Sequence, residues 1–123
     1  MKKSKILVVD DSETNLVLLE AILEDDGFEV SIAYSVKEAE TQLKNDIPNL
    51  ILLDLLMPNE NGFSLLQKLK SNEIMKNIPV IIVTAFANNE NNIKAKQMGA
   101  EDIIEKPINI PDFLKKVHSA LNK

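Results

Sequence analysis

Five short apolar runs recur along the chain: KILVVD (5–10), FEVSIAY (28–34), NLILLD (49–54), PVIIVT (79–84) and EDIIEK (101–106). Each is followed by a stretch with helical spacing. The runs are short and rich in Val and Ile, which predicts strands buried on both faces. Between them, Leu16, Leu19, Ile22 and Leu23 form one helical stripe, closed by Gly27. Val36, Ala39 and Leu43 form a second, opened by Ser35 and Glu38 at capping-box spacing. Leu65, Leu66 and Leu69 mark a third stripe, and Ile93 and Met98 a weaker fourth before Gly99. The fifth carries Phe113, Leu114, Val117 and Leu121, with Pro111 in its first turn, where a missing N–H does no harm. Five strands alternating with five helices predict an α/β fold, a doubly wound five-stranded parallel sheet covered on both faces.

Composition narrows the picture. With 123 residues and 45% hydrophobic content, the chain suits one domain over residues 1–123, large enough to close a core without staples. It has no cysteine, which removes disulfides, thiolate metal sites and thiol catalysis. The apolar run after MKKSK is too short for a signal peptide, and Asp54 and Thr84 interrupt the others well below the ~20 residues of a membrane span. A cytoplasmic protein without a membrane partner fits best. The net charge is −5, with lysines scattered among acids, which argues against direct nucleic-acid binding. NNENN (88–92) reads as a solvated loop or helix start, and His118 as a lone surface histidine.

Right-handed crossovers bring the carboxyl ends of parallel strands to one edge of the sheet. Asp10 with Asp11, Asp54, Thr84 and Lys106 end four of the five strands there. In strand order 2-1-3-4-5 the topological switch point lies between the first and third strands, with the aspartates on its two sides. Plainer roles exist: Asp11 or Ser12 could cap the first helix, Thr84 could cap the segment after it, and Lys106 could be solvated before Pro107. Asp54 suits capping poorly, because LLMPNENG intervenes before the next stripe. Three carboxylates on one crevice call for a cation, and oxygen ligands favour Mg²⁺, with Mn²⁺ as a substitute. With an ammonium and a hydroxyl opposite, the set describes a phosphoryl site.

VVDD, LLDLLMPNENG, VTA and EKP together resemble the signature of response-regulator receiver domains of two-component signalling, in order and spacing across essentially the whole chain. The resemblance implies the flavodoxin-like receiver fold and a phosphorylation-dependent switch rather than a turnover enzyme. Asp54 would accept a phosphoryl group from a histidine kinase or histidine phosphotransfer protein. Asp11, Asp54 and the backbone carbonyl of Leu56 would bind Mg²⁺, with Asp10 helping through water. Lys106 would contact the phosphoryl oxygens, Thr84 would move to hydrogen-bond them, and the Lys106–Pro107 bond would be cis. Leu56 and Phe86 would flank the path of the hydrolytic water; both are apolar, so hydrolysis of the acyl phosphate is expected to be slow. Ile103 stands where receivers usually carry Tyr or Phe, so the aromatic gate is expected to be missing, with the Thr84 loop and Phe86 carrying the switch. The output surface would be the fourth helix, fifth strand and fifth helix.

Three other readings fit less well. A phosphatase of the haloacid-dehalogenase type wants two aspartates separated by one residue, but Ser12 stands two after Asp10. A flavin or nucleotide module wants glycines or a Ser/Thr-rich phosphate loop after the first strand, and DDSETN has no glycine. A degenerate receiver acting only as a scaffold would have lost phosphorylation residues that are all present.

Overall fold

Alternation within the strands decides the layering. In the computed structural model, which describes residues 3–57, 60–85 and 88–122, β1 (Lys5–Val9), β2 (Glu29–Ala33), β3 (Leu50–Leu53), β6 (Val80–Thr84) and β7 (Asp102–Glu105) form one parallel sheet. Its order is β2-β1-β3-β6-β7, the doubly wound order expected. Successive side chains leave opposite faces of a strand. Leu7, Val9, Ile51, Leu53, Val80 and Ile82 therefore pack under α2 (Val36–Asn45), α3 (Gly62–Ser71) and α4 (Asn89–Gln97). Ile6, Val8, Leu50, Leu52, Ile81 and Val83 pack under α1 (Glu13–Asp25) and α5 (Ile110–Leu121). Each fully buried Leu, Ile or Val contributes about 1.5–3 kcal/mol. Among the described residues, no helix is long and apolar enough to cross a membrane.

The helix ends follow local chemistry. Ser12, Ser35, Asn88 and Asn109 cap α1, α2, α4 and α5, each accepting from the N–H three residues on. Glu38 reaches the N–H of Tyr34 at 3.3 Å rather than that of Ser35, so the capping box is completed one residue early. Gly27 (φ 96°) and Gly99 (φ 104°) end α1 and α4 in the left-handed conformation, where a side chain would be strained.

Two expectations are corrected. Burial on both faces holds for β1, β3 and β6, but β2 and β7 are partly exposed because they are the sheet's edges. Ile93 does not face the core: it is 58% exposed, and Ala95 is the buried residue of α4. The stretch after Asp54 has regular structure of its own. β4 (Leu56–Met57) and β5 (Glu60–Asn61) pair antiparallel and lead straight into α3.

Candidate phosphoryl and metal site

The sheet itself places the polar residues, each one step past a ladder or at its last rung. The Asp10 N–H donates to the Ala33 carbonyl at 3.1 Å, that of Asp54 to Val9 at 3.0 Å, and that of Lys106 to Thr84 at 2.9 Å. These bonds continue the parallel pattern and fix three backbones against neighbouring strands. The side chains converge on the crevice between β1 and β3. Asp10 (2% exposed), Asp54 (7%) and Thr84 (1%) are buried, while Asp11 is exposed.

Charge organises the crevice. Carboxylate oxygens of Asp10, Asp11 and Asp54 lie within 4.8 Å of one another. The Lys106 ammonium donates to Asp10 Oδ2 at 2.9 Å and to Asp54 Oδ2 at 3.4 Å. Burial works against the charge on Lys106, but its hydrogen bond to Asp10 and the charges of Asp54 and Asp10 outweigh this, and its pKa is raised. Asp10 uses its other oxygen, Oδ1, to accept from the Ser12 N–H at 2.9 Å, so both its oxygens are engaged. Ser12, not Asp11, caps α1, with Oγ accepting from the Asn15 N–H at 3.3 Å. Asp11 is thus left at the mouth beside Asp54.

The donor set suits a hard divalent cation: three carboxylates against one ammonium, with no imidazole or thiolate among the three residues of the cluster. Leu56 opens β4 two residues past Asp54. The bond between Lys106 and Pro107 is cis. Phe86 lies outside the described residues. Ile103 sits in β7 opposite Ile82 and packs, partly buried, against the core on the α4 side. Beside it an open depression of about 490 Å³ is lined by Asn88, Ile93, Lys96, Glu105 and Lys116.

Other residues need comment. Thr84 does not cap α4; Asn88 does. His118 is on the surface as expected but not alone, since its Nε2 lies 2.7 Å from Asp26 Oδ2 and its ring rests 5.3 Å from that of Phe28. The sequence reading missed Gly62. A Cβ there would stand 2.5 Å from the Asp54 carbonyl oxygen. The available signal was its place: of the three glycines, only Gly62 precedes a helical stripe rather than ending one.

With this geometry the comparisons agree. The sequence model of the response regulator receiver domain matches residues 6–118, and the chain belongs to that family. It is 39% identical over 116 residues to the response regulator PleD of Caulobacter vibrioides, covering 94% of this chain and 26% of PleD. It is 36% identical over 121 residues to the polar-differentiation response regulator DivK of Brucella ovis, covering 98% of each. A CheY-like receiver domain protein of Methanospirillum hungatei JF-1 superposes with a TM-score of 0.91 at 34% identity, over 98% of this chain and 95% of that one. The chain is therefore a receiver domain of two-component signalling, a class of signalling switch that works with histidine kinases and downstream effectors.

Proposed function

We propose that the chain is a Mg²⁺-dependent phosphorylation switch whose phosphoacceptor is Asp54. The observation that carries this reading is the convergence of Asp10, Asp11, Asp54 and Lys106 at the switch point of the sheet. An Asp54 carboxylate oxygen attacks the phosphorus of a phosphohistidine in line. The new P–O bond forms as the P–N bond breaks, and the donor imidazole leaves. Such transfer asks for positioning and charge neutralisation more than covalent help. Asp11, Asp54 and the Leu56 carbonyl would hold Mg²⁺, with Asp10 helping through water, and the ion would supply positive charge against the incoming phosphoryl oxygens.

Lys106 acts from the other side. Its shorter bond, to Asp10, anchors the ammonium, while the longer one, to Asp54, is free to be exchanged for a phosphoryl oxygen. Thr84, at the end of β6, hydrogen-bonds the phosphoryl group once it is formed. The domain spans residues 1–123, works in the cytoplasm, and takes its phosphoryl group from a histidine kinase or histidine phosphotransfer protein. Its downstream partner reads α4, β7 and α5, where the depression beside Ile103 lies.

Incubation with acetyl phosphate and Mg²⁺ should add one phosphoryl mass, and Asp54→Asn should abolish it. Equal uptake by Asp54→Asn at the wild-type rate would overturn the assignment.

A further inference from the structure

Gly62 is buried as the first residue of α3, and its N–H donates to the Leu55 carbonyl at 2.9 Å. A Cβ at this position would stand 2.5 Å from the Asp54 carbonyl oxygen, 2.7 Å from Leu55 Cα and 3.2 Å from the Asp54 carbonyl carbon. All three are backbone atoms, so no side-chain rotation relieves the contact. Nor does backbone conformation call for glycine here, because only Gly27 and Gly99 have positive φ. What Gly62 supplies is space, at the point where α3 meets the Asp54–Leu55 peptide.

That peptide is held from both sides. Upstream, the Asp54 N–H is bonded to Val9 on β1 at 3.0 Å; downstream, Leu55 is bonded to Gly62. A side chain at position 62 can be admitted only by moving this segment and the start of α3 apart, and the Gly62–Leu55 hydrogen bond resists that separation. The Asp54 side chain leaves from that segment, and Leu56 follows it directly. We propose that Gly62 is a positioning residue: its missing side chain lets α3 seat directly on the Asp54–Leu55 peptide and thereby sets where the Asp54 carboxylate and the Leu56 carbonyl stand. The inference rests on the reading of Asp54 as the phosphoacceptor and metal ligand. Bringing the 2.5 Å contact out to an ordinary separation of 3.4 Å takes nearly an ångström, and a misplacement of about 1 Å costs about 100-fold in a positioned reaction.

The test compares Gly62→Ala with Gly27→Ala in the full chain. Gly27 lies before β2, away from the carboxyl edge, and its Cβ would meet nothing within 4 Å, so alanine there strains φ alone. Gly27→Ala should keep the wild-type rate of acetyl phosphate uptake and Mg²⁺ affinity by calorimetry, whatever melting temperature it loses. Gly62→Ala should slow uptake about 100-fold and weaken Mg²⁺ binding by about tenfold or more. Wild-type uptake and affinity in folded Gly62→Ala would overturn the proposal, as would equal losses in both variants.

Overpacking is destabilising, so all proteins are also compared in the cold with about 1 M trimethylamine N-oxide, which favours the compact state. A Gly62→Ala chain unfolded even there would count against the proposal, since its defect would then be global. If the wild type binds Mg²⁺ yet takes up no phosphoryl group, the phosphoacceptor reading fails, and Mg²⁺ affinity alone decides the role of Gly62.

Discussion

Replacing Asp54 with asparagine should make the metal-free protein more stable. The substitution keeps the shape and removes one charge from a crowded crevice. In the wild type, Asp54 faces Asp10 and Asp11 with carboxylate oxygens within 4.8 Å, and Lys106 at 3.4 Å. At an effective dielectric of 20, each carboxylate pair repels by about 3.5 kcal/mol and the ion pair returns about 5 kcal/mol, leaving a balance of about 2 kcal/mol in favour of neutralising Asp54. For a chain of this length that is a rise in Tm of roughly 8 °C. Circular dichroism melts at neutral pH in EDTA measure it directly. Added Mg²⁺ should then raise the wild type more than Asp54→Asn and narrow the gap. A melting temperature for Asp54→Asn at or below the wild type in EDTA would refute the argument, because Lys106 would then already balance the site.

Mg²⁺ at 100 times its Kd should stabilise the wild type by about 2.7 kcal/mol, and Asp11→Ala should lose most of that; unfolding curves with and without the metal report both. The Lys106 pKa is raised, against the desolvation that lowers it, by Asp10 and Asp54. Its contribution is therefore complete below the ordinary lysine value of 10.5 and lost as pH rises through the higher folded value. Urea unfolding of wild type and Lys106→Met should accordingly show a constant stability difference up to about pH 10 that shrinks above it; a difference unchanged at pH 11.5 would remove the ion pair from the account. Methyl NMR should find Ile103 in one rotamer with and without a phosphate mimic, while Thr84 and the following loop shift. A rotamer change at Ile103 with an immobile Thr84 would reverse that division.

What could be read from the chain and what could not have physical reasons. The strands and helices were legible because short runs rich in Val and Ile and helical stripes leave direct marks: Leu50 to Leu53 are buried throughout, and Leu16, Leu19 and Leu23, or Phe113 and Val117, are buried as spaced; the strand order followed from the doubly wound pattern that such alternation implies. Ile93 misled because apolarity does not encode direction in so polar a helix; Ala95, unremarkable in sequence, is the residue that packs. The exposure of β2 and β7 is a property of sheet position, which no strand's own residues carry. The polar residues at the carboxyl edge could be listed because topology alone takes them there. Their pairing could not: that Asp10 divides its oxygens between Ser12 and Lys106 depends on distances between strands far apart in sequence. Gly62 was hidden for a similar reason, since the atoms it makes room for belong to residues whose approach only the folded hairpin creates.

The lysine that balances the crevice comes from the end of the sheet's last strand, 96 residues after Asp10 and 52 after Asp54. On the ribosome this separation becomes a delay. At common elongation rates Lys106 is made roughly 3–10 s after Asp54. Were β1 and β3 to pair in that interval, their carboxylates would face each other with no ammonium to offset them. A partly made chain therefore has reason not to close the crevice, and it lacks the amine proposed to contact the phosphoryl oxygens. On the proposed reading, a competent acceptor site exists only after β7 has docked on β6, so the edge strand completes a centre whose other members lie on strands made earlier.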